Sequence, residues 1–195
     1  MGLPTVFIRL TGCPLRCRWC DTEYAFQGGM SQTLKEIMAQ VKSYNPLYVT
    51  VSGGEPLAQP NCLPLLSCLA DQGYEVSLET SGALDISAVD PRVVKVMDLK
   101  PPASGEVGRN SYDNIGYLNP KDQVKFVMAD RGDYEWSVSK LIEYNLSERV
   151  SDVLFSPVSG ELMADQLAGW ILEDGLPVRF QVQLHKVIWG NKAGV

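Results

Sequence analysis

The sequence predicts an α/β fold, a partial, open TIM-like (β/α) barrel of about six or seven mostly parallel strands. Three observations point there. β-Branched apolar runs recur along the chain, helical stretches separate most of them, and polar residues gather where the runs end. Alternation of this kind implies a parallel sheet with right-handed crossovers.

The runs occupy residues 5–10, 47–52, 75–79, 93–98, 123–128, 153–156 and 178–183. Between the first two, Thr33-Leu-Lys-Glu36 reads as a capping box, and Leu34, Ile37, Met38 and Val41 form one apolar face. Asn61 is placed to cap the next helix and Gly73 to close it. Asp133 opens a third, with Trp136, Leu141 and Ile142 facing inward; residues 162–173 make a fourth, closed near Gly175. Trp136 and Trp170, on helical faces, read as core. Residues 101–120 are rich in turn formers and exceed the usual connection of about 12–15 residues, so they are functional or mobile.

A chain of 195 residues that is 45% hydrophobic buries one substantial core, so residues 1–195 are read as a single domain. The net charge of −6 and pI near 4.8 argue against nucleic acid as a partner. No apolar run reaches membrane-spanning length, and Met1-Gly-Leu-Pro does not resemble a secretory leader. Five cysteines, an odd number, then favour a reducing cytoplasm over a disulfide framework. Cys62 and Cys68 lie in an apolar helical stretch and read as small hydrophobes.

Cys13, Cys17 and Cys20 are different. Spaced C-x3-C-x2-C directly after the first strand, they offer three thiolates, one fewer than a closed site needs. A 4Fe-4S cluster held by three cysteines keeps one iron open. A structural zinc site is the competing reading, and it requires a distant fourth ligand such as His185. Polar groups also end almost every other strand: Ser52-Gly-Gly-Glu-Pro56, Glu79-Thr-Ser-Gly82, Asp98-Leu-Lys100, Ser156-Pro157 and Gln183-Leu-His-Lys186. Parallel α/β folds collect their chemistry at this edge. Gly53 and Gly54 allow either close approach to a ligand or a plain turn, and Glu55, if buried, calls for a cationic partner. Arg9 sits within an apolar strand, so it needs an anion, either a ligand carboxylate or Glu79.

The triplet together with the Gly-Gly-Glu-Pro turn resembles the radical S-adenosylmethionine (SAM) enzymes. In that family the open iron is chelated by SAM, and the Gly-Gly-Glu-Pro turn meets the SAM amino group. A narrower resemblance rests on Phe7-Ile-Arg-Leu-Thr-Gly-Cys-Pro-Leu-Arg-Cys-Arg-Trp-Cys-Asp-Thr22, the Glu79-Thr-Ser-Gly82 turn, Asp98-Leu-Lys-Pro-Pro-Ala-Ser-Gly105, Gln123-Val-Lys-Phe126 and Leu184-His-Lys-Val-Ile-Trp189. Together these are similar to the 7-carboxy-7-deazaguanine synthase family. That family converts 6-carboxy-5,6,7,8-tetrahydropterin to 7-carboxy-7-deazaguanine with loss of ammonia, on the route to queuosine and other 7-deazapurines. It works as a homodimer on a modified, incomplete TIM barrel.

The resemblance implies that Cys13, Cys17 and Cys20 ligate the 4Fe-4S cluster and that the Thr22 hydroxyl binds Mg2+, a hard ion suited to oxygen donors. It places SAM against Trp19, Cys20, Asp21, Gly54, Asp98, Leu99 and Lys100. Arg9, Ser52 and the terminal carboxylate of Val195 match substrate contacts, with Glu79 and His185 from the same cavity as catalytic candidates beside Arg9. A reducing partner such as a flavodoxin would supply the electron that cleaves SAM to a radical. Two departures stand out: the family's preceding strand and Gln-Gly-Glu-Gly loop would lie upstream of Met1, and Asp98-Leu-Lys100 replaces the more usual Ser-Pro-Lys. Two other functions fit parts of the pattern. A radical SAM activase of a glycyl-radical or anaerobic ribonucleotide-reducing enzyme shares the triplet, and a non-catalytic zinc-binding interaction module needs the cysteines alone.

Overall fold

The computed structural model describes residues 2–190 and Lys192. Seven strands form one open sheet in the order β1 to β7, every neighbouring pair parallel: β1 (Thr5–Leu10), β2 (Tyr48–Gly53), β3 (Glu75–Thr80), β4 (Val94–Asp98), β5 (Gln123–Met128), β6 (Asp152–Pro157) and β7 (Arg179–Phe180). Among the described residues six α-helices accompany it: α1 (Leu34–Ser43), α2 (Cys62–Asp71), α3 (Arg131–Glu143), α4 (Leu146–Arg149), α5 (Ala164–Glu173) and α6 (Leu184–Trp189). No helix among the described residues is long and apolar enough to cross a membrane.

Register divides the sheet into two unlike faces. Val49, Val51, Leu78, Met97, Val124, Phe126, Met128, Val153 and Phe155 pack against Val41 of α1, Leu65, Leu66 and Leu69 of α2, Leu141 of α3 and Leu167 and Ile171 of α5. This helix-covered side is the core. The alternate residues point the other way, as a pleated strand requires. Register carries that second row from Arg9 beside Ser52, through Thr50 beside Ser77 and Glu79 beside Val96, to Asp98 beside Lys125 and Val127 beside Ser156. It carries charged and hydroxyl side chains, with Phe7, Val94, Val96, Val127 and Leu154 among them.

The helices begin largely where their sequences indicate. Thr33 and Glu36 form the reciprocal capping box of α1. The Asn61 side chain makes no cap bond, because its backbone is already turned toward the helix, while Gly73 adopts φ +82° just past α2. α3 starts earlier than expected, since Asp130 and not Asp133 accepts the capping N–H. In that register Leu141 is buried and Trp136 partly so, but Ile142 is 71% exposed. α5 begins at Ala164, with Leu162 buried ahead of it. The turn-rich stretch is ordered by three short 3-10 turns, Pro102–Ser104, Val107–Arg109 and Tyr112–Tyr117. The last strand is only two residues long: the Gln181 N–H still donates to Phe155 O, the chain then leaves the sheet, and His185 stands on α6 and not at a strand end.

Candidate active site

The cysteine loop leaves β1 and is held on two sides. Gly12 donates its N–H to Ala25 O at 2.8 Å, and Gln59 Nε2 donates to Thr11 O at 2.6 Å. Leu15, 1% exposed, is the apolar anchor between Cys13 and Cys17. The Arg16 guanidinium donates to Cys13 O and Leu15 O and lies 4.3 Å over the Phe26 ring. Cys20 N–H closes the loop on Cys17 O at 3.1 Å. All three cysteines are half-buried free thiols. Burial pushes the Cys17 thiol up to about 11, with Lys100 opposing and Asp98, Cys20 and Glu106 adding to the rise. Burial likewise raises Cys20, against a hydrogen bond from the Thr22 backbone. Iron bound here would displace protons.

The glycine turn after β2 presses against this loop. Gly54 donates to Leu10 O and Glu55 N–H to Gly12 O at 2.7 Å. A Cβ on Gly54 would stand 2.3 Å from Gly12 O and 2.8 Å from Cys13 Cβ. The missing side chain therefore serves contact between turn and cysteine loop. Glu55 is fully buried without a cation: its carboxylate accepts from Leu57 N–H, Thr80 Oγ1, Ser81 N–H and Ser81 Oγ, the shortest at 2.6 Å. Within the protein, four neutral donors satisfy this carboxylate.

Beyond β4, Lys100 Nζ lies 2.9 Å from Asp98 Oδ2, each side chain 17% exposed. Burial alone would lower the Lys100 pKa, but Asp98 and the neighbouring thiols outweigh it and hold the ammonium charged. Asn110 clips the main chain of Lys100 in both directions, at 2.8 and 2.9 Å. Leu99 is fully buried in the core and its N–H is taken by Lys125 O, so it can offer a ligand only its carbonyl. Trp19 packs on Val127, Ala129 and Val158, with the Arg18 guanidinium 5.2 Å from its ring.

On the polar face Arg9 forms no ion pair with Glu79 or any other carboxylate among the described residues; its guanidinium lies 5.7 Å from the Tyr24 ring centroid. Burial raises the Glu79 pKa, Lys125 and Lys100 lower it, and Asp98 adds to the rise. Lys125 had no expected role, yet alternation within Gln123-Val-Lys-Phe126 places Lys125 on the polar face. The C-terminal segment reaches the cysteine loop through Asp21, which accepts from Gln183 Nε2 at 3.0 Å and lies 3.5 Å from His185 Nε2. Thr22 Oγ1 donates to the other Asp21 oxygen at 2.9 Å. The structure thus brings His185 to Asp21 and Thr22 by a route that strand alternation does not reveal. Val195 lies outside the described residues. A groove of about 1020 Å3 runs along the open edge of β1 against α1, with Arg9 and Tyr24 lining it. It holds none of the three cysteines.

Comparison with known proteins decides the family. The Radical SAM superfamily model matches residues 7–145. A 7-carboxy-7-deazaguanine synthase of Koribacter versatilis is 43% identical over 96% of this chain and 89% of its own length, and one of Chlorobaculum tepidum is 43% identical over 98% and 88%. The chain belongs to the 7-carboxy-7-deazaguanine synthase family of radical SAM enzymes. A relative of that name in Thermoplasma acidophilum is 35% identical over the whole chain and 92% of its own. Streptococcus suis SuiB, in a crystal structure with its precursor peptide SuiA, shares the fold with TM-score 0.69 at 16% identity, over 92% of this chain and 48% of SuiB. SuiB bound to S-adenosylmethionine gives 0.67, over 95% and 52%.

Membership brings a 4Fe-4S cluster and SAM, and the residues present fit both. Three thiols stand on one loop. Among the described residues Asp98 Oδ1 at the end of β4, Ser156 Oγ on β6 and Gln181 Oε1 past β7 are buried with no hydrogen-bond partner. Buried polar atoms left single are costly, so they mark where a polar ligand would be taken up.

Proposed function

We propose that the protein is a 7-carboxy-7-deazaguanine synthase, a carbon–nitrogen lyase that contracts 6-carboxy-5,6,7,8-tetrahydropterin to 7-carboxy-7-deazaguanine with loss of ammonia, toward queuosine and related 7-deazapurines. What carries this reading is agreement with relatives of that name along nearly the entire chain, 43% identical in two cases. The polar face supports it. Among the described residues Arg9 has no carboxylate partner, and it stands in register with Ser52, a site suited to a substrate carboxylate.

Cys13, Cys17 and Cys20 would hold the cluster, with SAM against Trp19, Cys20, Asp21, Gly54, Asp98, Leu99 and Lys100. When bound, the cluster and SAM supply the radical that starts the reaction. Thr22, whose hydroxyl proton is directed to Asp21, keeps its oxygen lone pairs for Mg2+. Glu79, with Lys125 and Lys100 nearby, would accept hydrogen bonds from the pterin ring, and His185, facing Asp21, would move a proton at the far side. The Val195 carboxylate would complete the pocket. A reducing protein such as a flavodoxin would act as partner, in a cytoplasmic homodimer.

The test is anaerobic reconstitution, then incubation with SAM, reductant, Mg2+ and the carboxytetrahydropterin. A deazapurine product that depends on Mg2+ is expected. No product from cluster-loaded protein would reject the reading.

A further inference from the structure

Asp133 is among the most buried carboxylates of the described residues, 1% exposed; it does not cap its helix and forms no ion pair among them, although the Arg18 charge acts on it from a distance. An acidic residue in a first helical turn usually stays exposed and answers the helix dipole. This one is turned inward and used twice. Its Oδ1 accepts the Ala103 N–H at 2.9 Å, and its Oδ2 accepts the Ala129 N–H at 3.0 Å. One carboxylate therefore ties the turn after β4 to the end of β5.

That turn, Pro102–Ser104, is in contact with the cysteine loop. Arg18 N–H donates to Ser104 O at 3.0 Å and Arg18 Nε to Ala103 O at 3.1 Å. Arg16 N–H donates to Glu106 Oε1 at 2.6 Å, and Glu106 N–H in turn rests on Ser104 Oγ. The Arg18 guanidinium also meets Glu161 at 2.6 Å. Arg16 and Arg18 flank Cys17, and Arg18 stands two residues before Cys20. Lys100 lies two residues ahead of Pro102, so one short turn borders both the cysteine loop and the Asp98–Lys100 pair.

We propose that Asp133 is a positioning residue for the cluster: its carboxylate fixes the Pro102–Ser104 turn, and that turn holds Cys17 and Cys20 in place through Arg18. The inference needs the cluster that family membership brings and is independent of which substrate the enzyme uses. Asp133→Asn keeps the shape but turns one acceptor into a donor facing a backbone N–H. Loss of a charged hydrogen bond of this kind is worth roughly tenfold in an equilibrium or a rate.

The experiment follows iron release to a chelator from anaerobically reconstituted protein, together with the electron paramagnetic resonance of the reduced cluster with and without SAM. Asp133→Asn and Arg18→Met should each speed iron release about tenfold and weaken the spectral change caused by SAM. The double variant should go no further than the faster single, because both act on one seam. Asp122→Asn is the control, a buried carboxylate bonded to Lys95 and to the segment before β5; it should lower the melting temperature and leave iron release at the wild-type rate. Wild-type release in Asp133→Asn, additive single effects, or equal release in Asp122→Asn would each overturn the proposal. Arg18 is half-exposed, so if Asp133→Asn does not fold, Arg18→Met decides, and an unchanged rate there also overturns it.

Discussion

A guanidinium that lines a cavity and has no carboxylate partner among the described residues is suited to an anionic ligand. Arg9 is in that position, while most other arginines here have a carboxylate or carbonyl in reach. Arg9→Met should therefore weaken binding of the carboxylated pterin about 100-fold, within the roughly 2–5 kcal/mol expected when one partner of a charged hydrogen bond is removed. Its thermal stability should stay within about 0.5 kcal/mol of wild type, as for a residue outside the core. Calorimetric titration and a melting curve check both halves. Glu79 gives a pH signature. Burial raises its pKa in the fold, so the protonated form is the one the fold favours. That stability is complete below the ordinary glutamate pKa and is lost as pH rises through the raised one. Glu79→Gln, which cannot ionise, should gain in urea midpoint relative to wild type as pH rises from 5 to 8. Lys125→Met should enlarge the wild-type loss, because Lys125 is the strongest group opposing the shift. A difference that is flat with pH would contradict this.

At the scale of elements, Gly54 shows how a strand end and a metal loop are built as one piece. Its main chain lies against Gly12 and Cys13 with no room for a methyl group. Gly54→Ala must separate the Gly-Gly-Glu-Pro turn from the cysteine loop, at about 1–3 kcal/mol for overpacking. Iron bound per chain after reconstitution should fall by at least half, and a fully loaded variant would show that the turn does not set the loop. The elements themselves were largely legible in the sequence, because period-two apolar runs and a capping box are local signals. β1 and β5 match the expected bounds, and the others differ by one or two residues except β7. That exception has a cause: Val178 to Gln183 alternates like a strand, but its pairing with β6 ends at the Gln181 N–H, which donates to Phe155 O. The joins between loops were not legible. Backbone N–H and C=O groups carry no sequence identity, so nothing marks Ser104 O as the partner of Arg18. Asp133 was misread for a related reason, since any aspartate near a helix start looks like a cap until its burial is known.

Over the whole molecule, the two faces of the sheet separate folding from chemistry. The helix-covered face holds Val, Leu, Met and Phe almost without exposure, with one ion pair inside it. There Lys95 Nζ lies 2.9 Å from Asp122 Oδ2, the side chains 2% and 0% exposed, and Asp122 also accepts the N–H groups of Lys95 and Asn119. Removing one partner of such a pair leaves a buried charge uncompensated, at roughly 3–5 kcal/mol. Lys95→Met should accordingly lose about that much stability in urea unfolding. Adding Asp122→Asn should restore part of it, since asparagine removes the uncompensated charge, although it keeps an acceptor for only one of the two backbone donors, which bind different oxygens of Asp122. Neither variant should alter the pterin affinity or the iron content of the folded fraction, because Lys95 points away from the polar row that runs from Arg9 to Lys125. Arg9→Met predicts the reverse pattern, binding lost and stability kept. The two variants measured side by side test the separation directly: a Lys95→Met protein that folds but binds pterin 100-fold more weakly would mean that the faces are coupled through the sheet.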